Sequence, residues 1–376
     1  RPDLLDGLID ESSFAEPAAA ETVAAELEAA IAGEPLDRAL EMARRIVNER
    51  RFAYGVQLVT AHRDALAIAR GYSDLAEGAI NALKAATEAD FAVTHGRIEG
   101  GELLVLGLGR LGGRALTHAS DLDLIFLFDA PLGSVSDGAK PLTATDYYNR
   151  LASRIVSSLS VPTAAGPLYE IDTRLRPEGA KGMLAVQIDA FDAYQREQAW
   201  TWEHMALCRA RSVTGSAHAR SVLTERIEAL LRLPSDPATI RTDAARMRFD
   251  MARHKAPSGP LDVKLGEGGL VDLEFAIHTL QLSTKVGLVA GLAGAIAALA
   301  EAGLMDGAIV EDQRLLLRLL VILRLVASGG EPAEASRALV AEACGYADWP
   351  ALLAAHDAAR QRIASFWQEV KDDRSR

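Results

Sequence analysis

The stretch GLGRLGGRALTHASDLDLIFLFD, residues 107–129, decides the fold. It opens on a glycine-rich turn and closes on a segment in which acids alternate with apolar residues before an apolar run. The preceding ELLVLGLG, residues 102–109, reads as a strand entering that turn, and DLDLIFLFD, residues 121–129, reads as a second strand. Gly107, Gly109 and Gly112 satisfy G-x-G-x-x-G, and Asp129 follows at about the distance of a ribose-binding acid, so a dinucleotide unit is one reading. The spacing counts against it. Only eight residues separate Gly112 from Asp121, whereas a parallel crossover needs a dozen or more. The same glycines can turn the chain so that the end of one strand faces the acids of its neighbour, which suits nucleotidyl transfer better.

Asp121 and Asp123 are expected on one face of the second strand, because side chains alternate with period two, while Leu122 and Leu124 turn to the core. Two carboxylates so placed repel one another unless a cation bridges them, and hard oxygen donors suit Mg²⁺ or Mn²⁺. Asp172, in LYEID, is a plausible third acid. Three carboxylates around one or two divalent ions could align a hydroxyl with an α-phosphorus. A solvated strand end is the plainer alternative for the pair taken alone. Arg174 and Arg176 alternate after Asp172 and could face the same cleft, where guanidinium forks pair with phosphate oxygens. Arg110 and Lys181 are further phosphate-contact candidates, each equally readable as a surface residue, and Lys264, just before GEGG, could approach the nucleotide from another domain.

Outward from this segment the pattern is helical. Residues 18–33 and much of 36–83 carry apolar residues three and four apart, with Gly71 and Gly101 read as punctuation. TATDYYNRLASRIVSSLS, residues 143–160, reads as a helix with Thr143 or Thr145 as its cap. Short strands are expected over 166–172 and 182–187, then helices over 190–211, 217–231 and to about 256. After the interruption PSGPLDVKLGEGG, helices run to Val370, with a frayed KDDRSR tail. The expected division is a helical region 1–98, a nucleotidyltransferase core 99–214 and a C-terminal helical domain 215–376.

Composition sets limits on function. The 376 residues carry a formal net charge of −12, which argues against general nucleic-acid affinity. The apolar run at 286–300 is too short for a membrane span and reads as a packed helix or connection. Cys208 and Cys344 are far apart and suit buried thiols in a reducing cytosol. No basic segment leads into an apolar one near Arg1, so no signal peptide is expected, and the start at arginine suits a fragment.

Four ordered motifs, GLGRLGGRALTHASDLDLIFLFD, YEIDTRLRPEGAKGML, AWTWEHMALCRARSV and VKLGEGGLVDLEF, together make the chain similar to the bifunctional glutamine synthetase adenylyltransferase/adenylyl-removing enzymes. The resemblance implies an α+β fold, a nucleotidyltransferase-type mixed-sheet core flanked by N- and C-terminal helical regions. WTWEH and GGLVDLEF look like the C-terminal, adenylylating half of that family; the removing half tends to have GREWER and GGIRE-[VI]-EF. By the resemblance, Asp121, Asp123 and Asp172 match the metal-binding acids, and Gly112 and Gly113 match the phosphate-side turn. Glu203, His204, Asp272 and Glu274 match family motifs without an equally clear chemical role; Glu203 or Asp272 could position a substrate loop, with buried helix capping or ion pairing at least as good a reading, and His204 reads as structural rather than a ligand. The implied reaction moves AMP from ATP to a tyrosine of glutamine synthetase and releases pyrophosphate, with Mg²⁺ or Mn²⁺ as cofactor. The alternatives are phosphorolytic removal of AMP and a non-catalytic glutamine synthetase-binding module. Control by glutamine and the PII signal protein is also implied, in the cytoplasm and without nucleic acid or membrane. The stretch 287–300 departs from the family, which often has a more polar connection there.

Overall fold

The computed structural model describes residues 14–327 and 330–373. Three helices come first: α1 (Ala20–Ile31), α2 (Leu36–Val59) and α3 (Ala65–His95). α1 and the Pro17 segment that leads into it approach α3 closely because Gly78 and Gly71 carry no side chain. A Cβ on Gly71 would meet the Pro17 ring at 2.6 Å, and one on Gly78 would meet the Val23 side chain at 2.5 Å. Gly71 therefore does not punctuate the helix, as its sequence position suggests; it is a packing site within α3.

The sheet follows. β1 (Glu102–Gly107) runs through the short helix α4 (Gly109–Gly112) to β2 (Leu122–Asp129). After α5 (Ala144–Ser160) come β3 (Ile171–Asp172) and β4 (Ala185–Gln187). The helices α6 (Ile188–Glu197) and α7 (Thr201–Leu207) then lead to β5 (Arg211–Ser212). β2 is central. It pairs antiparallel with β1 on one side and parallel with both β3 and β4 on the other, while β5 lies antiparallel outside β1. Leu124 through Phe128 are all buried, so both faces of β2 are covered. Thr143 caps α5, accepting from the Asp146 backbone N–H at 3.3 Å.

Two expected strands are shorter than their apolar runs. Of 166–172 only Ile171–Asp172 pairs, and of 182–187 only Ala185–Gln187, because each meets a separate stretch of β2 and the loop between them folds on itself. The helix expected over 190–211 is two helices, broken at Gln198–Trp200, where Glu203 accepts the Trp200 backbone N–H at 2.9 Å.

The remainder is helical: α8 (Ala217–Leu231), α9 (Pro237–His254), α10 (Leu270–Thr284), α11 (Leu292–Glu301), α12 (Ile309–Val326), α13 (Glu334–Ala343) and α14 (Trp349–Lys371). The expected divisions near 98 and 214 fall in the short segments between α3 and β1 and between β5 and α8, yet a single apolar core runs through all three parts. α12 packs on α3, which brings the last third of the chain back to the first. Together these elements form the α+β nucleotidyltransferase-type arrangement, a small mixed sheet between helical regions. Cys208 and Cys344 are buried free thiols. Among the described residues no helix is long and apolar enough to cross a membrane. Of the expected tail, 374–376 lie outside the described residues.

Candidate active site

The site is built where the glycine turn meets the start of β2. Gly109 adopts φ +53°, a conformation that favours glycine, and a Cβ there would come within 2.3 Å of Asp123 Oδ2. The Leu108 backbone N–H donates to the Asp123 carbonyl at 3.0 Å, so the turn is fastened to the strand that carries the acid. Gly112 is needed for a different contact: a Cβ would lie 1.8 Å from the Arg209 carbonyl oxygen. Gly113 lies against the Arg209 guanidinium. Two buried or part-buried acids of α3 brace the far end of the turn: Glu77 pairs with Arg211 at 2.7 Å, and Asp74 with Arg114 at 3.2 Å. Arg211 in turn donates to the Leu111 carbonyl at 3.3 Å.

Asp123 and Asp172 are register partners in the parallel β2–β3 pair, which places their side chains on one face. Asp121 lies one residue before β2 begins rather than within it, and is exposed. Each of the three offers an oxygen within 4.8 Å of the others. Their electrostatics differ. Burial, reinforced by the charges of Asp121 and Asp172, pushes the Asp123 carboxyl up to about 6, against the pull of Lys264 and Arg209. Asp172 is held below the usual carboxylate range, chiefly by the Arg174 side chain. Arg174 Nε lies 3.0 and 2.9 Å from its two oxygens, its Nη2 also donates to Oδ2, and its backbone N–H donates to Oδ1 at 2.8 Å. Converging hard oxygens, one of them on a carboxyl disfavoured as an anion by burial and by its acidic neighbours, fit a divalent cation on donor chemistry.

The cations divide into those turned to the acids and those turned elsewhere. Lys264, in the loop before α10, acts electrostatically on Asp121 and Asp123, and its ammonium has no hydrogen-bond or ion-pair partner among the described residues. Burial, then the charge of Arg110, lowers its pKa. Arg110, in α4, is likewise unpaired among them, with Nη2 buried. Arg176 braces its own loop instead, donating to the Thr173 carbonyl at 2.7 Å, the Gly182 carbonyl at 3.2 Å and the Ala180 carbonyl at 3.2 Å. Lys181 is exposed in a 3₁₀ turn (Gly179–Lys181) of that loop.

The other motif residues hold the frame. His204 hydrogen-bonds the Gln195 carbonyl at 2.9 Å across the α6–α7 break. Asp272 pairs with Arg248 and accepts the Gly268 backbone N–H at 2.6 Å, fixing the loop that carries Lys264. Burial acts to raise the Glu274 pKa, but Arg209 and Arg110 outweigh it and hold the group lowered. Glu274 meets Arg209 at 2.6 Å. Sequence reasoning missed Arg209 and the contact of Gly109 with Asp123. Arg209 follows a buried cysteine at a helix end, and that position gave no sign of its reach to Gly113 and α10.

Residues 1–226 match the family model described as glutamate-ammonia ligase adenylyltransferase, and residues 241–370 match one described as GlnD PII-uridylyltransferase. The chain is similar to proteins named bifunctional glutamine synthetase adenylyltransferase/adenylyl-removing enzyme. The Mesorhizobium japonicum protein is 42% identical over 289 residues, which cover 76% of this chain and 29% of that protein. Those of Agrobacterium fabrum and Rhizobium meliloti are each 37% identical, over 93% and 94% of this chain and 37% of theirs. The chain thus spans roughly a third of the length of these relatives, between 29% and 37%.

Proposed function

The chain belongs to the glutamate-ammonia ligase adenylyltransferase family, and on that premise we propose that it carries one nucleotidyl-transfer site, which moves AMP from ATP to a tyrosine of glutamine synthetase. The observation that carries this reading is the convergence of Asp121, Asp123 and Asp172 beside the glycine turn. The WTWEH and GGLVDLEF motifs favour the adenylylating half.

Asp121, Asp123 and Asp172 would hold a divalent cation, Mg²⁺ or Mn²⁺. When bound, such an ion supplies positive charge beside the phosphates and acidifies the attacking hydroxyl. The remaining steps belong to the chain. The turn at Gly112 and Gly113 lets the triphosphate approach the backbone closely. Arg110, Lys264 and Arg174 offset its charge, Arg174 by exchanging Asp172 for a phosphate oxygen, with Arg176 and Lys181 on the neighbouring loop. The tyrosine oxygen forms a bond to the α-phosphorus, the bond from that phosphorus to the β-phosphate bridge breaks, and pyrophosphate leaves with the bond pair. Asp172 accepts the hydroxyl proton or orients its donor. The helical regions 1–98 and 215–376 would recognise the protein substrate around a core at 99–214. Regulation by glutamine and the PII signal protein, in the cytoplasm, belongs to the same proposal and is supported by the resemblance.

The test is product analysis with glutamine synthetase in both states. Modified tyrosine and pyrophosphate from the unmodified partner support the proposed direction. ADP released from the adenylylated partner with phosphate, and no forward product, would reverse it. A non-catalytic module would show neither product and no metal-dependent ATP affinity.

A further inference from the structure

The acidic site hangs on a short pairing. β2 and β3 meet over two residues each, Leu122 and Asp123 against Ile171 and Asp172, with the Leu122 backbone N–H donating to the Glu170 carbonyl at 2.9 Å. That junction brings together three carboxylates that repel one another, and parallel pairs are the weaker kind per residue. Repulsion works to open it, so a hold from outside the sheet matters.

α2 supplies such a hold. Arg44, Asn48 and Arg51 recur four and three residues apart, which sets them on one face of the helix. All three donate to backbone carbonyls at the end of α5 and along its connection to β3: Arg44 Nη2 to Ser158 at 2.7 Å and Val161 at 2.8 Å, Asn48 to Ala165 at 3.2 Å, and Arg51 Nη1 to Leu168 at 2.7 Å. Arg51 also reaches a second segment, where its Nη2 donates to the His118 carbonyl. Leu168 lies four residues before Asp172, and His118 three before Asp121. One planar guanidinium thus bridges the two chain segments that deliver the acids, with a different nitrogen on each. It is seated over the Tyr169 ring, its central carbon 5.1 Å from the centroid, and the Arg51 carbonyl accepts from the Tyr72 hydroxyl at 3.3 Å, which ties the clamp to α3.

We propose that Arg51 is a positioning residue of the acidic site: its fork fixes the distance between the backbone that carries Asp121 and Asp123 and the backbone that carries Asp172. The N-terminal helices thereby set the spacing of the carboxylates through the main chain. The proposal deepens the reading of these acids as a divalent-cation site, and rests on that reading for its metal arm only.

Arg51→Lys keeps the charge but, as a point donor, cannot hold two carbonyls in a fixed fork. Hydrogen exchange in EDTA is followed at two amides: Leu122, which links β2 to β3, and Val213, which donates to the Val105 carbonyl at 2.9 Å on the β5 side of β1. In Arg51→Lys the Leu122 amide should exchange about tenfold faster or more, with Val213 within about threefold of wild type. Leu27→Ala is the control for lost stability: Leu27 is buried in α1, which packs on α2 and α3, and its truncation should move the two amides alike. Calorimetry at matched ionic strength should show Mg²⁺ binding weakened about tenfold in Arg51→Lys, where the acids are free to spread, and unchanged in Leu27→Ala. If Arg51→Lys does not fold, Tyr169→Leu is read in its place, since it removes the ring beneath the guanidinium and leaves both carbonyls. The same selectivity for Leu122 is expected there, with Tyr169→Phe matching wild type because the Tyr169 hydroxyl has no hydrogen-bond partner among the described residues. Wild-type exchange at Leu122, equal acceleration of both amides, or unaltered Mg²⁺ affinity beside a loosened Leu122 overturns the proposal. No Mg²⁺ binding by wild type, with the exchange pattern as expected, would instead sink the metal reading and leave the clamp standing.

Discussion

Replacing Asp123 by asparagine should stabilise the metal-free protein while abolishing AMP transfer. Burial and two neighbouring carboxylates raise this group from an ordinary 3.8 to about 6. A folded state that holds the proton more tightly than the unfolded chain is favoured at low pH. Stability therefore falls as pH rises from 3.8 to 6, and the loss is complete above 6. At 1.36 kcal/mol per pKa unit, the ionised carboxylate costs the fold on the order of 3 kcal/mol at pH 7.5. Asparagine keeps the shape and removes the charge. Over a chain of 376 residues an unfolding entropy of about 0.8 kcal/mol/K converts that into a rise of about 4 °C in Tm. Thermal unfolding in EDTA at pH 7.5 and at pH 4 reads it directly: the variant gains at pH 7.5, and the gain shrinks toward zero at pH 4. Adding Mg²⁺ should raise the wild-type Tm and leave the variant's unchanged, because only the wild type binds the ion. A variant that melts below wild type in EDTA at pH 7.5 would refute the reasoning, since the carboxylate would then be a net contributor to the fold.

Gly109→Ala places a methyl in a left-handed conformation and against Asp123 Oδ2, so it should cost about 1–2 kcal/mol in stability from the backbone alone and remove Mg²⁺-dependent ATP affinity; calorimetry and a melting curve check both, and unaltered affinity would separate the turn from the acid. Glu77→Gln leaves Arg211 without its buried counter-charge and should lower stability by about 3 kcal/mol or more, read by urea unfolding. Arg174→Ala frees both oxygens of Asp172 and should tighten Mg²⁺ binding a few-fold without nucleotide while raising KM for ATP; the two shifts are separable by titration and kinetics.

The centre of the fold was legible because β1 and β2 are built from local signals. The apolar run of β1, the acid alternation opening β2 and the short glycine turn between them leave one close pairing. The acidic trio was legible for the same reason, with Asp172 found through its strand. What was illegible depends on distant packing. Gly71 looks like a helix breaker until Pro17 is seen against it. The break between α6 and α7 carries neither glycine nor proline and is set by Glu203 and His204 bonding across it. Arg209 acquires its partner Glu274 only when α10 folds back beside the sheet. Arg176 shows the converse: its alternation with Arg174 suggested a shared cleft, but the loop it sits in closes around its guanidinium.

The decisive measurement is incubation of the protein with unmodified glutamine synthetase, Mg²⁺ and ATP labelled on its α-phosphate, beside Asp123→Asn. Label on the target tyrosine with wild type and none with the variant is the expected result. No label with wild type, even with glutamine and the PII signal protein present, or equal label with the variant, would contradict transfer through these acids.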